Sequence, residues 1–243
     1  MLDNFELVGE WDSDATGNKV GLRRIDMESV MRHFTTFDGP VLQIGSKAAD
    51  LDTTSRWRRV FAGKQVIGID IEEGDNVDHV FDITQNISSL RKKTGIKQYS
   101  TIVAYHLLEH VKNPFEVASN IEKLLKPGGR LIVSVPWVQA FHAYPDDYWR
   151  ISFSGLRQLF SKLDFEFEFY ADGHEGYGYQ LLYNGVPEHS PRMCDLEGRL
   201  FQLRFEMGEM PEQKMIKKLD VNKIQMSMPM CQYMACSAVA VKR

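Results

Sequence analysis

From residue 25 onward, short apolar runs alternate with stretches whose apolar residues recur every three or four positions. That alternation predicts a parallel sheet with helices on both faces. Ile25, Val30, Met31, Phe34 and Phe37 are spaced as one face of a helix. Strands are predicted over 41–45, 66–71, 79–83, 100–105 and 131–135, and helices over 53–61, capped by Asp52 or Thr53, and over 87–93. Asn113 followed by Pro114 reads as the cap and first position of a further helix, with Phe115, Val117, Ile121, Leu124 and Leu125 along it. Lys126-Pro127-Gly128-Gly129 stops that helix, because proline cannot continue it and the glycines permit a reversal.

Beyond the fifth strand the pattern predicts a loop over 136–148, a helix over 154–163 and an alternating strand over 165–170. A last strand over 233–241, small and apolar, suits a buried central position. The roughly sixty residues between these two strands are too many for a structureless loop. We therefore expect an inserted segment over about 180–230, with helices over 200–207 and 213–219. Residues 1–22 show no clean period and carry Gly9, Gly17 and Gly21, which suggests an arm or lid ahead of a domain over 23–243.

Composition narrows the function. The chain has 243 residues, 43% hydrophobic and 26% charged, enough for one large α/β domain. A net charge of -4 and scattered basic residues lack the footprint of a duplex nucleic-acid binder. Cys194, Cys231 and Cys236 form no C-x-x-C pair, so neither a disulfide framework nor a thiolate zinc site is indicated, and a reducing compartment fits. With no signal-like start and no stretch of transmembrane length, we expect a cytoplasmic protein with no membrane partner.

In an open α/β sheet, ligands bind at the carboxyl ends of the strands where strand order reverses. Those positions are Gly45-Ser46, Asp70-Ile71, Asp82-Ile83 and Tyr105-His106. An acidic residue after the second strand can accept both hydroxyls of a ribose, and one after the third can accept an adenine amine. Together they describe an adenosine site, although Asp70 could instead cap its turn and Asp82 the following helix.

The segments VLQIGS, VIGIDI, DHVFDIT, HLLEHVKNP and LLKPGGRLIVSVPW resemble, in order and spacing, the class I S-adenosylmethionine-dependent methyltransferases, in particular a type 11-like branch. The resemblance covers roughly residues 40–170 and implies a Rossmann-like, mostly parallel seven-stranded sheet, with the inserted segment before the last strand. It also implies that S-adenosyl-L-methionine is the cofactor. Gly45 and Ser46 would lie against its methionine part, Asp70 on its ribose, and Asp82 and Ile83 beside adenine, with Ile71, Tyr105 and His106 completing the pocket. One departure is visible, in the first loop. It reads Gln43-Ile44-Gly45-Ser46-Lys47-Ala48-Ala49, whereas the family usually starts from an acidic residue and continues with further glycines, which let the backbone approach a ligand.

His106-Leu107-Leu108-Glu109-His110 formally matches the H-x-x-E-H pattern of inverted zinc peptidases. That pattern belongs inside a long helix, whereas here it begins at a strand end and is cut by Asn113-Pro114; no metal is expected, and Glu109 and His110 are read as loop-fixing. The loop after the fifth strand gathers Trp137, His142, Tyr144, Asp146, Asp147, Tyr148, Trp149 and Arg150, and would overhang the active face. Trp137, His142, Tyr148, Trp149 and Arg150 are the substrate-side candidates, and His174, Tyr177 and Tyr179 could line the same cleft. Candidates for a catalytic base are His106, His142 and Asp147, histidine being suited to neutral pH.

The expected reaction is methyl transfer to an oxygen or nitrogen of a small acceptor, a sugar or specialised metabolite among the candidates. The alternative is an inactive binding or regulatory subunit that keeps the fold, and association with itself or with a homologue fits either. A nicotinamide-dependent oxidoreductase would want G-x-G-x-x-G after the first strand, which is absent.

Overall fold

The computed structural model describes residues 5–12, 19–47, 56–139, 141–142, 145–172, 177–187 and 234–243. Along the chain these form β1 (Phe5–Asp12), β2 (Lys19–Asp26), α1 (Met27–Phe34), β3 (Val41–Ile44), α2 (Arg56–Val60) and β4 (Val66–Asp70). There follow β5 (His79–Val80), α3 (Ile87–Thr94), β6 (Tyr99–Tyr105), a 3₁₀ turn at Leu108–His110, α4 (Pro114–Leu124) and β7 (Leu125–Val138). The last elements are α5 (Phe153–Leu159), β8 (Leu163–Asp172), β9 (Tyr177–Tyr183), β10 (Val186–Pro187) and β11 (Met234–Lys242).

The chain divides into two compact units. The larger holds residues 24–180 and 233–243 together with the first six residues. Its strands run in the order β8-β11-β7-β6-β3-β4-β5. β5, β4, β3, β6 and β7 are parallel neighbours, and β11 lies antiparallel between β7 and β8. These seven strands are the Rossmann-like, mostly parallel sheet expected of the sequence, but the sheet does not stop at β8, where β9 pairs antiparallel through Tyr179 opposite Tyr170. Consecutive strands run outward from β3 through β4 to β5, then restart at β6 on the other side of β3. Strand order therefore reverses between β3 and β6, and ligands of such sheets bind at the carboxyl ends flanking that reversal.

Alternate residues of the central strands face opposite sides, and both sides are buried. Val41, Val103, Ile132 and Val239 join Ile25, Val30, Phe34, Phe37, Trp57 and Phe61 in one core cluster. Leu42, Ile102, Leu131 and Val133, on the other side, are also buried. The helices start where their caps dictate. Asp26 accepts the backbone N–H groups of Glu28 and Ser29 ahead of α1, Asn113 that of Glu116 ahead of α4, and Ser152 that of Gly155 ahead of α5.

The PGG turn departs from expectation in one respect. α4 ends at Leu124, and Leu125, expected on the helix, already begins β7, paired with Tyr99; the strand resumes with Arg130 opposite Thr101 after a register shift. The Pro-Gly-Gly turn is thus looped out of a strand rather than placed before one, with Gly128 at φ +72°. The third strand is shorter than expected, reduced to His79–Val80.

The smaller unit takes residues 7–23 and 181–232. In it β1 pairs with β2, and β9 pairs antiparallel with β10. Lys19 and Asn184 are joined twice, by Lys19 N–H on Asn184 Oδ1 at 2.9 Å and Asn184 N–H on the Lys19 carbonyl at 2.8 Å. Residues 1–22, expected as an arm, thus contribute strand residues at 5–12 and 19–22. β9 was likewise not foreseen. The helix start at Asp52–Thr53, the expected helices over 200–207 and 213–219, Ala48, Ala49, Tyr144, His174, Cys194 and Cys231 lie outside the described residues.

Candidate functional site

Gly45 ends β3 at φ +70°, a conformation that favours glycine, and a Cβ there would meet Leu107 Cδ1 at 3.3 Å. On the neighbouring parallel strand β6, His106 occupies the equivalent end with φ +52°. A histidine in that region is uncommon, and backbone strain of this kind concentrates at functional sites. Its own N–H is secured by the Ser134 carbonyl at 2.9 Å, which holds the strained residue against β7.

Asp70 ends β4 and fixes the loop after β3. Its Oδ2 accepts the Lys47 N–H at 3.0 Å, and its Oδ1 accepts the Glu72 N–H at 3.2 Å. A carboxylate offers about four acceptor directions, so two remain for other donors. Beside it Ile71 is 51% exposed, an apolar side chain at the sheet's carboxyl edge.

A polar network behind Asp70 was not legible as a unit. Gln43, standing where an acidic residue is usual, is buried and accepts from Asn76 Nδ2 at 3.3 Å, while Asn76 Nδ2 also donates to the Ser46 carbonyl at 2.8 Å. Arg58 Nε donates to Asn76 Oδ1, and the same guanidinium meets Asp78 at 2.6 Å. Asp78 also takes the Gly68 N–H at 2.6 Å. Gly68 must be glycine, since a Cβ would overlap the Asn76 carbonyl oxygen and stand 2.7 Å from Ser46 Oγ. The Ser46 hydroxyl is thus buried against Gly68, its N–H is given to the Ile69 carbonyl at 3.0 Å and its carbonyl to Asn76, so Ser46, expected against the methionine part of a cofactor, is fully buried and shapes the loop instead. Lys47 lies across Gly74 and pairs with Glu72 at 2.6 Å.

After β5, Asp82 Oδ1 accepts both the N–H of Thr84 at 2.8 Å and its hydroxyl at 2.7 Å, a local turn. Ile83 is buried, and its carbonyl accepts Asn120 Nδ2 at 2.9 Å, with the Gln85 carbonyl at 3.2 Å on the same amide. Asn120 thereby anchors this loop from α4, a role that its position inside an amphipathic helix did not announce. Tyr105 packs between Trp57 at 5.4 Å and His106 at 4.6 Å, with the Arg56 guanidinium 4.8 Å over its ring.

The loop after β7 is held by charge. Asp147 has a nearly buried carboxylate that receives Arg150 through two bonds, at 2.5 and 2.7 Å, and the His142 N–H at 2.9 Å. The Arg150 guanidinium holds the Asp147 carboxyl well below the usual carboxylate range against the opposing effect of desolvation. Arg150 also donates to the Gln139 and Trp149 carbonyls at 3.2 and 2.9 Å. Tyr148 N–H bonds the Glu109 carbonyl at 2.7 Å, and Trp149 Nε1 donates to the Val111 carbonyl at 2.8 Å. Tyr148 and Trp149 leave about two fifths of their surface exposed, and Trp137 is half-buried near the end of β7.

These bonds draw the loop onto the segment after β6. The H-x-x-E-H run is not a zinc-peptidase helix, because His106 precedes a three-residue 3₁₀ turn in left-handed conformation. Tyr179 sits on β9 opposite Tyr170, and Tyr177 lies under Arg24 at 4.6 Å. No described helix is long and apolar enough to cross a membrane.

Residues 38–174, more than half of the chain, match a family model described as a methyltransferase domain. Among solved structures, an S-adenosylmethionine-dependent methyltransferase from Archaeoglobus fulgidus is 15% identical, with a TM-score of 0.50 over 89% of this chain and 92% of its own. Phosphoethanolamine N-methyltransferase 2 of Haemonchus contortus, solved with phosphomonomethylethanolamine and S-adenosylhomocysteine, is 15% identical with a TM-score of 0.46, over 89% of this chain. The chain spans about half the length of that enzyme, 52% of it. The N-methyltransferase NodS of Bradyrhizobium japonicum, with S-adenosylhomocysteine, is 14% identical with a TM-score of 0.40, over 59% of this chain and 76% of its own. Among curated proteins none matches the sequence. On the family match the chain belongs to the methyltransferase-domain family, and it has the class I S-adenosylmethionine-dependent methyltransferase fold.

Proposed function

We propose that this chain binds S-adenosylmethionine across the carboxyl ends of β3, β4 and β6 and transfers its methyl group to an oxygen or nitrogen of a small acceptor. The observation that carries this reading is Asp70 at the end of β4, oriented by two backbone N–H groups and retaining acceptor capacity. The residues fit the cofactor. Gly45 presents backbone without a Cβ, the exposed Ile71 offers an apolar surface to a purine ring, and Asp70 offers oxygens to ribose hydroxyls. Asp82 and Ile83 would border adenine, Asp82 through the carboxylate oxygen outside its Thr84 turn. Tyr105 and His106 would line the methionine end, with Ser46 holding the loop from beneath.

When bound, the cofactor supplies an electrophilic methyl group on a good leaving group, so positioning can provide most of the rate. His106, held by its N–H on the Ser134 carbonyl at 2.9 Å and by Glu109 Oε1 at 3.3 Å from Nδ1, is suited to take a proton from an acceptor. Asp147 suits a positioning role better than that of a base, because a carboxylate so firmly ion-paired is weakly basic. It orients Arg150 and the backbone of His142. Trp137, His142, Tyr148, Trp149 and Arg150 would wall the acceptor side.

Calorimetric titration with S-adenosylmethionine and S-adenosylhomocysteine tests the reading. Saturable binding that Asp70→Ala weakens supports it. Absence of binding sinks it and leaves the inactive-subunit alternative.

A further inference from the structure

Glu109, His110 and His142 come from two segments that the sequence separates by about thirty residues, yet their ligand atoms lie within 4.8 Å of one another. Glu109 is fully buried. Its Oε1 stands 3.3 Å from His106 Nδ1, while its Oε2 has no hydrogen-bond partner among the described residues. A buried acceptor left in that state is costly, and such an atom calls for a specific explanation.

The histidines sharpen the requirement. His110 Nδ1 lies 2.6 Å from the Asp146 carbonyl oxygen, which can only accept, so Nδ1 carries the hydrogen. In the neutral ring Nε2 is then an unprotonated donor of electrons, and it faces Glu109 Oε1 at 3.8 Å. A lone pair directed at a carboxylate is unfavourable unless a positive centre lies with them. A backbone carbonyl on the distal nitrogen is the arrangement that orients metal-ligating histidines. His142 is placed in a related way, its Nδ1 3.2 Å from Asp147 Oδ2, though off the line of a hydrogen bond. The His110 and His142 rings meet edge to face at 5.0 Å.

We propose that Glu109, His110 and His142 form a site for a divalent transition-metal ion of the zinc type. Two imidazoles and one carboxylate are a borderline donor set, which suits zinc or cobalt and does not suit the oxygen-seeking magnesium or calcium. The charged groups around it are Asp147, held by Arg150, and Arg150 itself, which also feels Glu109. Three protein ligands leave a coordination position for water or for an oxygen of a small molecule. In this arrangement His142 holds the ion and is not the catalytic base. The binding claim stands independently of the cofactor reading above.

The full chain, purified without nickel affinity and dialysed against chelator, is titrated with Zn2+ by calorimetry and with Co2+ by visible absorbance. The expected result is saturable binding of about one equivalent and a cobalt spectrum of low coordination number. Glu109→Gln and His142→Ala should each weaken binding at least about tenfold with unchanged circular dichroism, while His33→Gln leaves it intact. Should Glu109→Gln fail to fold, His142→Ala decides, because His142 is only half-buried. No saturable binding, or binding that survives His142→Ala, overturns the inference. S-adenosylmethionine is titrated into the same preparation. If it binds and the metal does not, only the metal inference falls; in the reverse case only the proposed function falls.

Discussion

The carboxylate of Asp70 closes the loop after β3 by accepting the Lys47 N–H at 3.0 Å, so the residue proposed to bind the cofactor's ribose also shapes the loop proposed to cradle its methionine end. Asp70→Ala should therefore do two things at once. It removes charge-assisted hydrogen bonds, each worth about 1.5–3 kcal/mol, and it loosens the Lys47 backbone. We expect S-adenosylmethionine affinity to fall roughly 10- to 100-fold by calorimetry. Asp70→Asn, which keeps an acceptor oxygen, should lose less. Equal losses for the two variants would show that charge, not loop closure, dominates.

Gly68 is the clearest steric demand at the site. A methyl group there overlaps the Asn76 carbonyl and crowds Ser46, both parts of the network that replaces the usual acidic residue with Gln43. Gly68→Ala should destabilise the fold by about 1–3 kcal/mol, the ordinary cost of overpacking, measured by urea denaturation. A wild-type midpoint would mean that the β4–β5 loop moves aside freely.

The fold was legible because its signals are local. Asn113-Pro114, most of the strand periods and the small apolar last strand each report their own conformation and stand close to where expected, the shortened third strand apart. The positions of Gly45, Asp70 and His106 followed from the same logic, since strand ends are read from strands. What could not be read were partners distant in sequence. Asn120 meeting Ile83, Gly68 under Ser46, and His142 beside Glu109 depend on how the layers stack, and no spacing rule encodes that. Strands β1 and β9 escaped because Gly9 interrupts the first and aromatic residues repeat through the second without a clear polar alternation.

Asn120 gives a third prediction. Its amide holds the Ile83 and Gln85 carbonyls from within α4, so Asn120→Ala leaves both carbonyls without this donor. A loss of about 1–3 kcal/mol in stability is expected. Because the same loop carries Asp82, cofactor affinity should also drop several-fold. Thermal unfolding and calorimetry on one preparation separate the two effects, and unchanged affinity would remove the Asp82 loop from the cofactor site.

Acid should act on α1 through its cap. The Ser29 hydroxyl and the backbone N–H groups of Ser29 and Glu28 lower the Asp26 carboxyl below its ordinary value in the folded chain. A depressed folded-state value means that the stabilisation is fully present above the unfolded carboxylate range and is lost as pH falls through the folded one. Asp26→Ala should cost about 1 kcal/mol at neutral pH, as N-cap removal does, and progressively less as the medium is acidified. Denaturant titrations at neutral and strongly acidic pH check this, and a pH-independent difference between the two chains would refute it.

The last prediction concerns the loop after β7, proposed to wall the acceptor side. Arg150 neutralises Asp147, which is only 1% exposed at its side chain, and also ties the Gln139 and Trp149 carbonyls. Arg150→Ala would leave a buried carboxylate without its counter-charge. Removing one partner of a buried pair costs about 3–5 kcal/mol, and because Arg150 keeps 27% of its side-chain surface exposed the effect here should sit at or below the lower end. The double change Arg150→Ala with Asp147→Ala removes the stranded charge and should recover part of that stability, since the penalty lies in the uncompensated group. Amide hydrogen exchange localises the event. Arg150→Ala should speed exchange at His142 and Tyr148, whose N–H groups are bonded to Asp147 and to the Glu109 carbonyl, while leaving β3 and β6 protected. If exchange accelerates throughout the sheet instead, the loop is part of the cooperative core and cannot open separately to admit an acceptor.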